Sequence, residues 1–570
     1  MTVPLINSYH QTCLRITHFI TLIFILYTTN TFAFEARHFD GTNNNLTNYS
    51  LGSAGTQLIR QGHSDYSDGM STLTGSTRPG ARVISNTIAS QNTSITNNRN
   101  LSGFAWQWGQ FLDHDIDLTE SVSPHQSMSI AVPTGDAYFD PYSTGTASIN
   151  LSRSAYDPLT GTSATNPRQQ INQTSSWIDA SNVYGSDATR AAALRSFSGG
   201  RMATSTGDLL PFNNSGLHNA GGTSSNLFLA GDIRANEQVG LTSMHTLFVR
   251  EHNRRADQMS AANPTMSDEE IYQRARKIVG AEIQNITYTG FLPALLGNNA
   301  ISIYNGYDNT KDGTIKNEFS TAAYRFGHTM LPAELQRLDN NGDVIPEGNI
   351  DLKNSFFNPS EISNIGIDAY LMGLASQPAQ EIDNHVVDGV RNFLFGPPGA
   401  GGFDLASMNI ERGRDHALAD YNQMRLDYGL LSVTDFTDIT SDLELQALLF
   451  DLYGDVNNID AWVGGLAEDH QLGSSMGELF STIIIDQFEN LRDADRFWYQ
   501  NDDFFLNHTE LLSEIDNMSL GDIIELNTDI RSLQKDVFFV SVPQPPILWL
   551  FATGLLGIIS STERAKRRAN

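Results

Sequence analysis

Apolar residues recur at helical spacing over long stretches of this chain, and that periodicity constrains the fold more than any other sequence feature. Five stretches carry it: residues 241–259, 268–287, 361–375, 443–453 and 476–497. Side chains three and four positions apart share one helical face, so each stretch predicts an amphipathic helix. Because there is no internal repeat, the sequence predicts one mainly α domain with few short strands, over residues 34–538.

Two stretches lack this periodicity. Residues 34–100 are rich in Asn, Ser, Thr and Gly, which predicts an irregular N-terminal arm laid over the domain. Helical periodicity begins at Leu101. Residues 122–167 mix Pro, Gly and Ser with short β-prone pieces, which predicts an irregular excursion before order resumes near Ile171.

The first 33 residues have the order of a secretory signal peptide. A basic start at Arg15 leads into an apolar run at 19–27, and small residues follow at Thr31 and Ala33. We predict cleavage after Ala33; the alternative is an uncleaved anchor, which needs about 20 apolar residues. The one cysteine, Cys13, lies in this leader, so the mature chain would have no disulfide and no cysteine metal site.

Residues 539–570 carry a second terminal signal. A Pro-rich motif at 542–546 precedes an apolar run at 547–559, and the basic tail contains Arg564, Lys566, Arg567 and Arg568. This order resembles the PEP-CTERM sorting signals of Gram-negative bacteria, with Gln544 where that family usually has Glu. The resemblance implies recognition by a membrane sorting protease and a secreted or cell-surface location. The alternative is a plain tail anchor, a transmembrane helix for which the apolar run is short.

The chain is strongly acidic, with 35 Lys and Arg against 64 Asp and Glu and a formal net charge of −29. Such a surface repels nucleic acid and anionic lipid headgroups, so neither is expected as a partner. A soluble, acidic, exported protein accounts for the charge, although Asp-rich stretches also offer the hard oxygen ligands that calcium prefers.

The densest cluster of polar residues lies in residues 108–119. Gln110 and His114 are four residues apart and share one helical face, and Asp113 and Asp115 flank the histidine. Burying a carboxylate, an imidazole and an amide together is costly unless each has a partner, so the stretch indicates a functional site. The alternative for a lone His beside Asp is a satisfied core pair or a metal ligand.

Three further stretches carry candidate site residues. Residues 174–186 combine hydroxyls, a carboxylate and turn residues, which suits calcium or else an Asx or Ser turn without an ion. Arg234 and Glu237 stand at helical spacing and could form an ordinary surface ion pair. His328 lies in a helical pattern at 324–330, where a lone His is usually structural.

Residues 108–119 match, almost position for position, the distal-helix motif of the animal haem peroxidase superfamily. The chain resembles that family in five ordered motifs, and the resemblance implies a b-type haem bound in a large helical domain. It makes His114 the distal base, Gln110 its neighbour in the peroxide pocket, and Asp113 a carboxylate that can form an ester to haem. One imidazole of near-neutral pKa can take a proton from peroxide and return it to the leaving oxygen.

The same resemblance gives roles to the segments that flank this helix. Arg234 would lie in the distal pocket as a fixed cation, and Glu237 would be the second ester carboxylate. A calcium ion would be bound by Asp115 together with residues of the 174–186 loop. The loop ligands implied are Ser175, the carbonyl of Trp177, Asp179 and Ser181.

On the other side of the haem, the resemblance implies that His328 is the axial iron ligand. Asn409 would accept the hydrogen bond of this histidine, which fixes its tautomer and basicity. Arg325 and Arg412 resemble residues that lie near the haem propionates, where a cation offsets carboxylate charge.

The resemblance implies a peroxidase that reduces hydrogen peroxide and oxidises a small electron donor. Gln238 stands where one branch has a Met that forms a sulfonium link to haem, so the haem should be a milder oxidant. Bromide, iodide, thiocyanate or phenols are then expected ahead of chloride. One alternative is a haem fatty-acid dioxygenase, although Arg325 stands where those enzymes have a radical-forming Tyr. The other is a non-catalytic, calcium-binding surface protein with the same fold.

Overall fold

The computed structural model describes residues 34–531 and 533–541. The predicted leader at 1–33 and the sorting signal from 542 onward lie outside the described residues. Within the described part, no helix combines the length and the apolar character needed to cross a membrane. From Ala36 to the end of that part, the chain forms one compact unit.

The described residues are mainly helical, which confirms the predicted fold class. Their α-helices are α1 Ala81–Ile88, α2 Gly103–Ile116, α3 Ser181–Tyr184, α4 Ala188–Ala193, α5 Val239–Ala262, α6 Asp268–Ile286, α7 Leu292–Leu296, α8 Asn317–Thr321, α9 Pro359–Ile365, α10 Asp368–Ser376, α11 Asp388–Arg391, α12 Leu405–Asp415, α13 Tyr421–Asp427, α14 Leu443–Tyr453, α15 Ala461–Ala467, α16 Glu478–Asp493, α17 Asp503–Leu506, α18 Thr509–Asp516 and α19 Leu520–Asn527. A π-helix covers Thr287–Phe291, and 3-10 turns cover Ala323–Thr329, Leu352–Asn354, Phe436–Asp438 and Val456–Asn458.

The strands of the described part are short and pair only two by two. They are β1 Thr56–Gln57, β2 Ser90–Gln91, β3 Ile130–Ala131, β4 Ser148–Ile149, β5 Ile171–Asn172, β6 Glu334–Leu335, β7 Ile350–Asp351 and β8 Val386–Val387. β1 pairs with β5, β3 with β4 and β6 with β7 in antiparallel register, and β2 pairs with β8 in parallel. The predicted excursion at 122–167 is confirmed as irregular chain around the β3–β4 hairpin.

Four of the five predicted helices are confirmed as α5, α6, α14 and α16. The fifth prediction, one helix over 361–375, is wrong, because the chain forms α9 and α10 with a break between them. Gly366 lies at the break with φ +82°, a conformation that ends a helix and that glycine adopts without steric cost. The helical pattern at 324–330 is a 3-10 turn rather than an α-helix.

The predicted irregular arm at 34–100 is wrong for one segment. Residues 81–88 form α1, which packs against α12 and buries Ile84 and Ile88 on its inner face. Eight residues are few for an isolated helix, so its stability depends on packing of this face rather than on local propensity. Ala81, Ile84 and Ile88 do stand at helical spacing, so the sequence carried a signal that was short and easily missed within a polar segment.

Helix α2 lies at the centre of the core. The hydroxyl of Ser102 accepts a hydrogen bond from the backbone N–H of Phe104 at 3.1 Å and caps the first turn. The helix then packs against α3, α5, α10 and the 3-10 turn Ala323–Thr329. Phe111 stacks on Phe248 of α5 with ring centroids 5.0 Å apart. This packing holds the polar residues of α2 at fixed positions.

Candidate active site

One cavity of about 350 Å³ brings most of the predicted site residues together. Its walls come from α2, from the segment before α5, from the 3-10 turn Ala323–Thr329 and from α12. The predicted residues that line it are Gln110, Asp113, His114, Arg234, Glu237, Arg325, His328 and Arg412. Asn409 reaches the cavity indirectly, through a contact with His328. The predicted calcium ligands form a separate buried cluster.

His114 is a buried, neutral imidazole on the wall formed by α2. Its Nδ1 lies 3.4 Å from Oδ1 of Asp232, and its Nε2 lies 4.0 Å from Oε2 of Glu237. Burial and the neighbouring Arg234 hold the pKa of His114 well below its ordinary value. A neutral imidazole with one nitrogen towards a carboxylate and the other towards the cavity can accept a proton there.

Arg234 is held by a buried carboxylate and is not part of a surface ion pair with Glu237. Its Nε and Nη2 donate to the two oxygens of Asp232 at 3.0 and 2.9 Å, a bidentate arrangement. Nη2 also donates to the carbonyl of Asp117 at 2.7 Å, and Nη1 donates to Asp113 at 3.3 Å. Although burial opposes ionisation, Arg234 and His114 lower the pKa of Asp232. The guanidinium is therefore a fixed cation beside His114.

The carboxyl groups of Asp113 and Glu237 both face the cavity, and both are weaker acids than usual. Burial raises the pKa of each carboxyl to about 7, and Arg234 only partly offsets it. Removing a carboxylate from water disfavours its charged form unless a cation or several donors compensate. Two carboxyl groups that readily carry a proton therefore face the same cavity.

Gln110 and Gln238 connect α2 to the start of α5. Nε2 of Gln238 donates to Oε1 of Gln110 at 3.0 Å, and Oε1 of Gln238 accepts from the backbone of Gly240 at 2.6 Å. Gln238 is thus the N-terminal cap of α5. Gln110 in turn donates from Nε2 to Glu237 at 3.4 Å. These contacts fix the amide of Gln110 beside His114.

His328 is a partly buried, neutral histidine on the wall formed by the 3-10 turn. Burial, and after it Arg325, lowers its pKa to about 3. Nδ1 of His328 lies 2.9 Å from Nδ2 of Asn409, and Oδ1 of Asn409 accepts from Nη1 of Arg325 at 3.2 Å. In this orientation Asn409 donates to His328, whereas the predicted acceptor role of Asn409 concerns the iron-bound histidine. The physical reason is Arg325, whose guanidinium requires an acceptor and so holds the amide oxygen on its own side.

Arg325 and Arg412 make the adjoining part of the cavity cationic. Nε of Arg325 donates to the carbonyl of Ser320 at 2.9 Å, so this guanidinium is held by neutral oxygens. Nη1 of Arg412 donates to the hydroxyl of Ser154 at 2.7 Å and to Asp415 at 3.1 Å. Burial and the nearby Arg412 lower the pKa of Arg325. A ligand carboxylate would relieve this positive charge.

Two of the predicted calcium ligands are buried carboxylates that hold the 174–186 loop against α2. Oδ2 of Asp115 accepts from the backbone N–H groups of Asp179 and Ala180 at 3.1 and 3.2 Å. The hydroxyl of Ser181 donates to Oδ1 of Asp115 at 3.0 Å. Burial and the neighbouring Asp179 raise the pKa of Asp115 to about 8. The pair is therefore costly to ionise without a cation.

The remaining predicted ligands complete this cluster. The hydroxyl of Ser175 donates to Oδ2 of Asp179 at 2.9 Å, and the backbone of Trp177 donates to the same hydroxyl at 3.2 Å. Within the described ranges no group of three or more His, Cys, Asp and Glu residues is arranged to hold a metal. The cluster has two carboxylates, and its other oxygens are hydroxyls and carbonyls, the oxygen chemistry that calcium accepts.

Sequence reasoning gave no role to Asp232 or His245. Asp232 stands two residues before Arg234, in a segment singled out for the arginine and Glu237 alone. The sequence signal for Asp232 was its position two residues from the candidate cation Arg234. His245 is fully buried on α5 against the ring of Phe111, and burial lowers its pKa to about 4. The sequence gave no comparable signal for it.

The sequence profile of the family described as Animal haem peroxidase matches residues 36–538. Peroxinectin A of Dictyostelium discoideum is 36% identical over 521 residues, covering 88% of this chain and 96% of the relative. The Homo sapiens Peroxidasin homolog is 36% identical over 563 residues, covering 89% of this chain and 37% of the relative. The chain thus spans nearly all of the first relative and about a third of the second.

Solved structures agree with these sequence matches. Peroxidase A from Dictyostelium discoideum has a TM-score of 0.83 at 34% identity, covering 89% of this chain and all of its own. A fatty acid alpha-dioxygenase of Arabidopsis thaliana has a TM-score of 0.74 at 21% identity, covering 90% of this chain and 85% of its own. At that identity the second match shows the fold alone. The chain belongs to the animal haem peroxidase family and is a haem peroxidase.

Proposed function

We propose that this peroxidase reduces hydrogen peroxide with His114 as the base and His328 as the iron ligand, and that it oxidises a small halide, thiocyanate or phenolic donor. The carrying observation is that His114 and His328, from distant parts of the chain, line one cavity as neutral imidazoles. One would serve proton transfer and the other metal binding, because both roles require a nitrogen lone pair.

The residues around the cavity fit a haem. A neutral His328 can ligate iron, and Arg325, held by neutral oxygens, can receive a propionate carboxylate. When bound, the haem would supply the redox-active iron that takes oxidising equivalents from peroxide. Ligation through Nε2 of His328 needs a proton on Nδ1 and an acceptor facing it, so the amide of Asn409 would turn over. The NH₂ group of Asn409 would then face Arg325, and Arg325 could donate its hydrogen bond to the propionate instead.

Proton transfer in the proposed reaction would be handled by His114. Its Nε2 would take the proton from the peroxide oxygen nearer the metal and return it to the leaving oxygen. Asp232, 3.4 Å from Nδ1, would keep the other ring proton in place and stabilise the charged ring. The fixed cation of Arg234 would stabilise negative charge as the peroxide bond breaks.

The proposed class of electron donor follows from the covalent bonds that the protein could form to haem. Asp113 and Glu237 face the cavity with pKa values of about 7, so each could form an ester after turnover with peroxide. Gln238 is committed to capping α5 and supplies no sulfur for a third link. Without that electron-withdrawing bond the haem would be a milder oxidant. Iodide, bromide, thiocyanate and phenols are therefore proposed ahead of chloride.

We also propose that calcium binds at Asp115, Ser175, Trp177, Asp179 and Ser181. The support is the burial of two adjacent carboxylates whose pKa values are both raised above the ordinary range. A divalent cation would offset their repulsion and tie the loop to α2 beside His114. Metal analysis of the purified protein should find one calcium per chain, and a chelator should lower the unfolding temperature. Asp179→Asn should abolish both the metal and the chelator effect.

The proposed location is the cell exterior or the outer envelope of a Gram-negative bacterium, based on the leader at 1–33 and the terminal segment at 539–570. The peroxidase domain itself would cover residues 34–538. Mass spectrometry of the protein from its native host tests this proposal. It should find a mature N-terminus at Phe34 and a processed C-terminal segment.

Absorbance and turnover test the central proposal. Protein expressed with haem should show a Soret band, and hydrogen peroxide should drive iodide oxidation. His328→Ala should remove the band, whereas His218→Ala, an exposed histidine outside the cavity, should keep both band and turnover. Absence of a Soret band in the wild type would refute the proposal. Oxygen-dependent consumption of a fatty acid without peroxide would favour the dioxygenase alternative instead.

A further inference from the structure

A continuous row of aromatic rings leads away from the cavity. We call it the aromatic chain, and its members are Tyr324, Phe488, Tyr288, Trp498 and Tyr499. Tyr324 lines the cavity, and its ring centroid lies 5.7 Å from that of Phe488. The next steps are 6.1 Å from Phe488 to Tyr288, 4.9 Å from Tyr288 to Trp498, and 5.0 Å from Trp498 to Tyr499. Each step is a direct ring contact.

The inner members of the aromatic chain lack a base that could take a phenolic proton. The buried hydroxyl of Tyr324 has no hydrogen-bond partner within the described residues. The hydroxyl of Tyr288 donates to the carbonyl of Phe488 at 2.6 Å, and an amide carbonyl is a very weak base. A tyrosine that cannot release its phenolic proton does not form a stable radical. An oxidised Tyr324 or Tyr288 would therefore take an electron from the next ring of the aromatic chain.

The outer end differs because Tyr499 has a base. The ring of Tyr499 is buried, but its hydroxyl donates to Oδ1 of Asp516 at 3.0 Å, and the Asp516 side chain is exposed to solvent. Tyr304 also contacts Trp498, at 5.8 Å, but its buried hydroxyl has no partner among the described residues. Tyr499 is therefore the member at which loss of an electron and loss of a proton can occur together.

We propose that the chain has a second oxidation site at Tyr499 and Asp516, reached from the cavity by electron transfer along the aromatic chain; this rests on the proposed peroxidase function. Tyr499 loses one electron through Trp498, Tyr288 and Tyr324, and the peroxide-derived oxidant in the cavity is reduced by that electron. The phenolic proton passes to Asp516, which leaves a neutral tyrosyl radical. A phenolic donor too large for the cavity then contacts the surface at the exposed Asp516 and gives one electron to the buried Tyr499 beneath it. Asp516 returns its proton to Tyr499, and the oxidised phenol releases its own proton to water.

Electron paramagnetic resonance tests the radical directly. The haem-loaded protein, grown with ring-deuterated tyrosine or with ordinary tyrosine, is mixed with one equivalent of hydrogen peroxide and frozen within milliseconds. We expect a tyrosyl signal that narrows on deuteration and is lost in Tyr499→Phe. Trp498→Leu, which removes the ring rather than replacing it by another bridge like Phe488, should lose the same signal, whereas Trp462→Leu, a change at another buried tryptophan outside the aromatic chain, should keep it. A signal unchanged in Tyr499→Phe or in Trp498→Leu would overturn the proposal.

A donor excluded by size tests the activity. A phenol coupled to a long polyethylene glycol chain should be oxidised by the wild type and by Trp462→Leu, and its oxidation should be lost in Trp498→Leu. Equal oxidation of this donor by Trp498→Leu would refute the second site. The Soret band and iodide turnover are measured on every variant and should be unchanged. If these are absent from the wild type, the proposed peroxidase function has failed rather than the aromatic chain.

Discussion

The two walls of the cavity are built in different ways. His114 lies on a capped, 14-residue α-helix, and Gln110 and Asp113 come from the same helix. His328 lies on a 3-10 turn of seven residues, and its partner Asn409 is 81 residues away in sequence. The first wall can be specified by a short sequence, because helical spacing alone sets which side chains are neighbours. The second wall depends on contacts that only the packed chain provides.

The largest expected effect tests the wall formed by α2. His114→Ala removes the proposed base, so the rate of the reaction with peroxide should fall by roughly 10²- to 10⁴-fold. The haem should stay bound, because His328 is on the opposite wall. Stopped-flow absorbance of the haem measures both quantities, with His218→Ala as the matched control. A rate within a factor of two of wild type would remove His114 from the mechanism.

The next effect tests the wall formed by the 3-10 turn. Asn409→Ala removes the hydrogen-bond partner of His328 Nδ1 and one acceptor of Arg325. Loss of such a supporting contact typically lowers metal affinity or activity by about 10- to 100-fold. Haem titration of the haem-free protein measures the affinity. Asn422→Ala, a buried asparagine at the start of α13, serves as the control. An unchanged haem affinity and an unchanged spectrum would show that Asn409 does not support the ligand.

A smaller effect is expected at Asp232, which joins His114 to Arg234. Asp232→Asn keeps the shape but removes the negative charge 3.4 Å from Nδ1 of His114. His114 then becomes a weaker base, so its reaction with peroxide should slow by about tenfold at unchanged haem content. Asp257→Asn, in an exposed ion pair with Arg201, is the control. If the variant reacts at the wild-type rate, Asp232 contributes structure only.

The last prediction concerns the stability of the haem-free protein, which is measured as a free energy of unfolding and not as a rate. The pKa of Glu237 is raised to about 7 in the folded state, whereas an unfolded Glu has a pKa of about 4.3. The folded state therefore binds the proton more tightly, so this group's contribution is present below pH 4 and is lost as pH rises to 7. The loss should be at most about 4 kcal/mol, since one pKa unit corresponds to about 1.4 kcal/mol. Urea unfolding at several pH values measures it, and Glu237→Gln should flatten the dependence. A dependence identical in the variant would contradict the raised pKa.

Prediction from the sequence succeeded where structure is local. The periodic stretches became α5, α6, α14 and α16, and the fold class is confirmed. It failed at 361–375, where Gly366 at φ +82° ends α9, and at 81–88, where packing against α12 supports a short helix. A glycine inside a periodic stretch can be tolerated or can end the helix, and the pattern alone does not show which.

The candidate site shows the same division between what local sequence predicts and what tertiary packing decides. Eight of the predicted residues line one cavity; only those of α2 share a face through local spacing, and the others were assigned through the family resemblance and are brought there by packing. Asp232 received no role, and the orientation of the Asn409 amide was not foreseen. Both depend on a partner from elsewhere in the chain: Arg234 pairs with Asp232, and Arg325 donates to the amide oxygen of Asn409. Which groups become hydrogen-bond partners in this way depends on tertiary packing and not on spacing along the sequence.

The sequence by itself determined the helical fold class and the α2 cluster, because apolar and polar spacing along a helix is a local property. Only the tertiary structure decided which carboxylate holds Arg234, how weak the acids Asp113 and Glu237 are, and that an aromatic chain connects Tyr324 to Tyr499. These properties depend on burial and on contacts between distant segments. Both arise only when the chain is packed, since desolvation and ring contact are properties of the folded interior.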